Sequence, residues 1–187
     1  MIALSKRQSV GDAEICNQVT GQVIRFLQTS ADTNGELLEM ESVYSPFSDE
    51  PPVHYHPAQR ECFTILYGEL AVRLNNKIHV YSTGDVIEIE RGTRHSMWNP
   101  GQAETLVNWK VMPAANTEAF LKAMTALANT GHTNDKGVPA LPLMIYLLKK
   151  YERIFRIAKP PIGIINAFYL ILKPVFILRD YKGRLNI

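Results

Sequence analysis

Two histidines one residue apart, His54 and His56, followed by Glu61, constrain this chain more than any other stretch. In an extended strand alternate side chains share a face, so His54 and His56 point the same way and Tyr55 points the other way. The residues after His56 are rich in Pro, Ala and Gln, which suits a tight turn, and residues 61–66 read as a returning strand. Glu61 is thereby expected beside the two imidazoles. Two neutral imidazoles and a carboxylate converging on one point are the donor types that hold a divalent metal.

A fourth candidate ligand, His95, lies about one hairpin downstream, within residues 84–99. The order His54-x-His56-x4-Glu61-x6-Gly68, then Gly84-x7-Gly92-x2-His95-x3-Asn99, resembles the paired motifs of the cupin superfamily. Fifteen residues, 69–83, separate the two motifs. The resemblance covers roughly residues 35 to 112 and implies a double-sheet jelly roll with a metal held by His54, His56, Glu61 and His95. Two positions depart from the pattern: Ser48 stands where the first motif begins with glycine, and Glu90 where the second has proline. Both belong to turns, so the departures bear on loop shape rather than on ligand chemistry.

The rest of the first two-thirds reads as short strands. Residues 21–29 and 37–44 flank an Asn34-Gly35 turn and form hairpin material. In the second run Met40 and Tyr44 share a face, while Glu39 and Glu41 alternate to the other side and are expected to face solvent. Residues 69–74 and 77–81 flank Asn75-Asn76 as another strand pair, and residues 105–112 make the last strand. Many short strands with turn signals between them imply a sandwich or barrel. Together with the resemblance, the expected fold is mainly β: a cupin-type jelly-roll barrel with its N-terminal strands over residues 1–113, followed by C-terminal α-helices over residues 114–187.

Beyond Pro113 the period changes. Phe120, Leu121, Met124, Leu127 and Ala128 repeat at helical spacing between the possible cap Asn116 and Gly131. From about residue 139 to 158, Met144, Leu147, Leu148, Tyr151, Ile154 and Phe155 form one apolar stripe, with Lys149, Lys150, Arg153 and Arg156 opposite. Pro160-Pro161 is expected to end that helix. Residues 162–172 are nearly all apolar, but they are shorter than the roughly 20 residues a bilayer span needs and are bounded by Lys173-Pro174. They are expected to bury themselves against the barrel or a dimer seam, with attachment to an anionic lipid surface as the less favoured reading.

Charge is unevenly spread along the chain. Residues 1–145 hold 11 Lys/Arg against 16 Asp/Glu, or −5; residues 146–187 hold 9 against 2, or +7; the sum is the chain's net +2. The basic residues carry no interleaved stacking motif, so a nucleic-acid partner is not expected. With 46% hydrophobic and 20% charged residues, the 187-residue chain has the composition of a globular protein with a sizeable core. Cys16 and Cys62 have no spacing that suggests a disulfide framework, and residues 1–10 lack the features of a secretory signal, so reduced thiols and a cytoplasmic location are expected.

The expected cofactor is one divalent transition ion, iron, manganese, nickel, zinc or copper, with an open position for water or substrate. Alternation from the ligands and from the second strand nominates Met40, Tyr44, Phe63, Ile65, Met97 and Asn99 as pocket residues. A metal-dependent enzyme, an oxygenase or isomerase acting on a small molecule, is the leading reading. A non-catalytic ligand-binding module and a membrane-surface or partner-docking protein remain the alternatives. A homodimer is the expected assembly.

Overall fold

The computed structural model describes residues 14–178. The residues read as lacking a secretory signal, 1–10, lie outside them. In chain order the strands are β1 (Glu14–Cys16), β2 (Val23–Gln28), β3 (Leu38–Tyr44), β4 (His54–Tyr55), β5 (Arg60–Tyr67) and β6 (Glu69–Leu74). They continue with β7 (Lys77–Ser82), β8 (Val86–Ile89), β9 (His95–Trp98), β10 (Thr105–Met112) and β11 (Arg156–Ile157). The helices are α1 (Thr117–Asn129), α2 (Leu141–Lys150) and α3 (Ile162–Leu178).

All strand pairings are antiparallel, and they build two sheets, one in the order β1-β2-β3-β10-β5-β8 and the other β11-β4-β9-β6-β7. The chain crosses between sheets after β3, after β4, after β5, after β7, after β8 and after β9, which is the double-sheet jelly roll. The sheets close on a common apolar interior. Tyr44, Phe63, Ile65, Ile87, Ile89 and Val107 from the first meet Leu70, Val72 and Met97 from the second. At about 1.5–3 kcal/mol for each large apolar side chain removed from water, this interior is the main force holding the sheets face to face. A second cluster, with Ile24, Phe26, Leu38, Met40 and Val111, extends the first sheet outward, where Leu121 of α1 packs on it.

Turn chemistry sets the register. Asn75 and Asn76 both take positive φ, 46° and 74°, the twist that a two-residue link between β6 and β7 requires. Ser48 replaces the motif's first glycine and gains a bond by doing so: the Asn99 backbone N–H donates to its Oγ at 2.8 Å, joining the two motif loops. Asn99 itself donates through its side-chain amide to the carbonyls of Tyr44 and Ala103 and accepts from the Gly101 N–H. Glu90 replaces the second motif's proline, and its carbonyl accepts from the Thr93 N–H in a tight turn.

Four sequence expectations are corrected. Glu41 does not face solvent; it is buried, because β3 lies between β2 and β10 and the long side chains opposite it in register, Arg25 and Asn108, cover it. The apolar stripe of residues 144–155 is not one helix. α2 stops at Lys150, residues 151–154 turn, and residues 156 and 157 form β11 against β4. Tyr151, Ile154 and Phe155 keep their buried or half-buried places because the turn folds them onto Leu127, Leu143 and Leu147, so periodicity alone could not tell turn from helix. Lys173-Pro174 does not bound the last helix either. α3 runs through Pro174, and both Pro174 and Leu170, whose carbonyl loses its donor, are exposed, so water can replace that bond. Finally, α3 is not buried against the barrel. It packs on α2, with the Tyr146 and Phe176 rings 5.5 Å apart, and among its described residues only Ile165 and Phe176 are buried.

Gly68, between β5 and β6, takes φ +81°, and a β-carbon there would lie 2.7 Å from the Glu104 carbonyl oxygen. Gly68→Ala is therefore expected to cost at least about 2 kcal/mol of stability, from left-handed strain and backbone collision together. Urea unfolding followed by circular dichroism measures it; an unchanged midpoint would show that the turn can relax.

Candidate metal centre

The barrel brings four of the nominated side chains to one interior point. His54 on β4 lies directly opposite His95 on β9 in register, and His56 follows two residues on, so three imidazoles line one patch of the second sheet. Their ring centroids are 4.4 to 5.3 Å apart. One nitrogen from each ring lies within 4.8 Å of the others, a set that can hold a metal ion. Glu61 reaches them from β5 in the facing sheet, its Oε2 3.2 Å from His56 Nε2 and 3.0 Å from His95 Nε2. The sequence reading placed Glu61 on a strand returning beside the histidines; in fact the chain changes sheets at that turn, and the carboxylate meets the rings across the barrel.

Each imidazole is held by a backbone carbonyl at its other nitrogen. His54 Nδ1 faces the Pro52 carbonyl at 3.0 Å, His56 Nδ1 that of Ile154 at 2.6 Å, and His95 Nδ1 that of Thr93 at 3.0 Å. A carbonyl only accepts, so each Nδ1 carries the hydrogen and each neutral ring keeps its lone pair at Nε2. The consequence is a crowd of acceptors. Nε2 of His56 and His95 and Oε2 of Glu61 are buried without a hydrogen-bond donor, although they nearly touch. Buried acceptors facing one another at about 3 Å are costly unless a cation joins them. The donor set, imidazole nitrogens beside a carboxylate oxygen, fits a divalent transition ion. Glu61 Oε1 is engaged separately, accepting from Trp109 Nε1 at 3.1 Å.

Protonation follows the same geometry. Burial, reinforced by the neighbouring His95 and His56, lowers the His54 pKa to about 3, so this ring is neutral across the physiological range. Burial also opposes a charge on His56, but the adjacent Glu61 carboxylate outweighs it and raises the pKa. Burial alone would raise Glu61; His56 and His95 reverse the shift and hold the carboxyl well below its usual range. Tyr44, fully enclosed and near the Glu61 charge, is pushed well above an ordinary phenol and keeps its O–H.

A cavity of about 250 Å³ opens above this cluster. Of the nominated pocket residues, Tyr44, Phe63 and Met97 line it. Met40 and Ile65 are packed in the two apolar clusters, and Asn99 is spent on its loop. The roof comes from the C-terminal third: Phe120 and Met124 of α1, Leu147 and Leu148 of α2, and Phe155. A wider depression of about 750 Å³ adjoins it, sharing Tyr44, Met97 and Lys136, and Lys136 reaches across to Asp49 at 3.1 Å. Cys62 faces away, on the outer side of its sheet opposite Glu88 and Lys110, where burial raises its thiol pKa; Cys16 is exposed on β1.

Sequence reasoning missed four contributors. Phe155 stacks on His54, with centroids 4.7 Å apart and planes at 27°, and the neighbouring Ile154 supplies the carbonyl that orients His56. Both were hidden in the apparent helical stripe. Trp109 could have been found by alternation with Val107 and Val111 along β10. Gln59, 1% exposed, donates through its side-chain amide to the Pro113 carbonyl and to Thr117 Oγ1, tying the turn after His56 to the start of α1. Its amide polarity in a turn carried no signal of burial.

A double-sheet β-barrel with an interior cluster of three imidazoles and a carboxylate defines the class. Residues 41–109 match the family described as the cupin domain, so this stretch of the chain carries a cupin fold. A stretch of 73 residues is 32% identical to an oxidoreductase of Arthrobotrys oligospora, covering 38% of this chain and 29% of that protein. A stretch of 59 residues is 39% identical to a probable oxidoreductase of Hypocrea virens, covering 30% and 27%. The chain thus spans under a third of the length of the curated relatives it matches. Among solved structures, it is similar to a predicted oxalate decarboxylase from Thermotoga maritima (22% identity, TM-score 0.49, 60% of this chain and 99% of that one). It is also similar to an RmlC-like cupin from Shewanella frigidimarina (20%, 0.49, 61% and 96%).

The carbonyl and the ring from residues 154 and 155 support two imidazoles, so Phe155→Ala is expected to weaken metal affinity by about 10–100-fold while the barrel stays folded. Titration of the metal-free protein with zinc, followed calorimetrically, checks this; equal affinity in the variant would remove Phe155 from the support of the centre.

Proposed function

We propose that this chain is a metal-dependent oxidoreductase acting on a small, largely apolar molecule inside the barrel. The observation that carries the reading is the set of buried acceptors, Nε2 of His56 and His95 with Glu61 Oε2, that face one another without a donor at the base of the apolar-walled cavity. His54, His56, His95 and Glu61 would hold one divalent transition ion. Such an ion supplies Lewis-acid or redox chemistry at an open coordination position. The names of the two curated relatives support oxidation–reduction over isomerisation.

The chain's own residues give the rest. The three backbone carbonyls hold the imidazoles in the ligating tautomer before anything binds, so little reorganisation is needed. Trp109 Nε1 fixes the orientation of Glu61 by binding its Oε1. Tyr44 keeps its hydroxyl hydrogen and lines the same cavity, so it is placed to donate one hydrogen bond to a polar atom of the substrate. Phe63, Met97, Met124, Leu147, Leu148 and Phe155 make the remaining wall apolar, which favours a compact hydrophobic body and excludes water. A volume of about 250 Å³ suits a molecule of modest size.

The ligand assignment is tested by metal content: His56→Ala and His95→Ala are each expected to lose most bound metal by elemental analysis while keeping the β circular-dichroism signature. Undiminished stoichiometry in both would refute it. A second comparison separates metal from thiol chemistry. With dioxygen uptake measured over a panel of small apolar alcohols, aldehydes and phenols, Cys16→Ser/Cys62→Ser is expected to retain activity and Glu61→Gln to lose at least about 100-fold. The reverse pattern would place the reactive centre on a cysteine.

A further inference from the structure

The outer surface of α3 carries more exposed apolar side chain than a free helix in water should. Ile164, Phe168, Leu170, Ile171, Ile177 and Leu178 are each 46% to 84% exposed, and Lys173 is the only charged residue in the helix. The opposite side is already occupied, since Ile165 and Phe176 are buried, Tyr169 packs on Phe176, and Asn166 accepts from Lys149 of α2. A helix apolar on all sides is one that something else covers.

We infer that α3 lies on an anionic lipid surface and anchors the protein there without crossing it. The breadth of the face argues for lipid over a second copy. Ile164, Phe168, Ile171 and Leu178 follow one another at i, i+4, i+7 and i+14, whereas Leu170 and Ile177 are set well over 90° around the helix from that row. A facing helix covers a single seam of roughly two positions per heptad, but a bilayer interface covers a wide arc. Charge argues the same way. Arg153, Lys159 and Lys173 are exposed and have no acidic partner among the described residues. The stretch from residue 146 onward carries +7, nine basic against two acidic residues, so two copies of this end repel each other while an anionic headgroup layer attracts it. No helix among the described residues is long and apolar enough to cross a membrane. This reverses the sequence expectation, in which burial was preferred to lipid attachment, and it is independent of the metal centre.

The test is co-sedimentation of the full chain with vesicles of phosphatidylcholine alone or with phosphatidylserine, alongside gel filtration without lipid. The account expects sedimentation with phosphatidylserine vesicles only, falling steeply as salt rises from about 0.1 M to about 1 M and the screening length shrinks from about 10 Å to about 3 Å. Phe168→Glu/Ile171→Glu changes two exposed positions, so it should leave circular dichroism unchanged and reduce the bound fraction at least about tenfold. Lys159→Glu, at an exposed position outside the helix, should also weaken binding. Three results would overturn the inference: no sedimentation with either vesicle, equal sedimentation with both, or a salt-stable dimer that Phe168→Glu/Ile171→Glu converts to monomer.

Discussion

The centre of this protein depends on three backbone carbonyls that each take the Nδ1 hydrogen of one imidazole. Once those hydrogens are committed to Pro52, Ile154 and Thr93, the Nε2 lone pairs have nowhere to turn, and two of them are pressed against the Glu61 carboxylate. Every other feature of the site serves that arrangement. The turn after His56 is tied down by Gln59 and by the Gly92 N–H on the His56 carbonyl, Glu61 is oriented by Trp109, and the cavity above is walled by apolar side chains. In a dry interior an uncompensated contact between these acceptors costs more than it would in water, and a positive charge placed among them, a bound cation or a proton on His56, relieves it.

The jelly roll explains why the cluster can be assembled from distant residues with little flexibility. Two sheets approach face to face, so a strand from each can point a ligand at the same spot: three imidazoles come from the sheet containing β4 and β9, and the carboxylate from β5 opposite. The helical third completes what the barrel leaves open. Strand β11 adds to the edge of the second sheet beside β4, and the turn before it delivers the Ile154 carbonyl and the Phe155 ring to His56 and His54. The C-terminal region is therefore part of the site as well as its roof, and the same region carries the exposed apolar face of α3.

Strand-borne features were legible in the sequence because alternation and turn chemistry act locally. His54 and His56 shared a face, Asn75-Asn76 marked a two-residue link, and β10 began and ended where its residue pattern said it would. Features that depended on neighbours in space were not. Glu41 looked like a solvent residue until Arg25 and Asn108 were found on either side of it. The run from Met144 to Phe155 had helical spacing, yet only its first part is helix, since a turn that folds back onto Leu127 buries the same residues. A two-residue strand such as β11 is too short to show a period. The exposure of α3 was hidden for the opposite reason: an apolar run reads as buried, and what covers it is not encoded within the run itself.

The measurement that bears most directly on the metal centre is X-ray absorption spectroscopy at the edge of the metal that copurifies with the protein. The account predicts a first shell of nitrogen and oxygen donors with the multiple scattering of about three imidazoles and one carboxylate, at light-atom distances near 2.0–2.2 Å. A first shell without imidazole scattering, or one containing sulfur from Cys16 or Cys62, would contradict it.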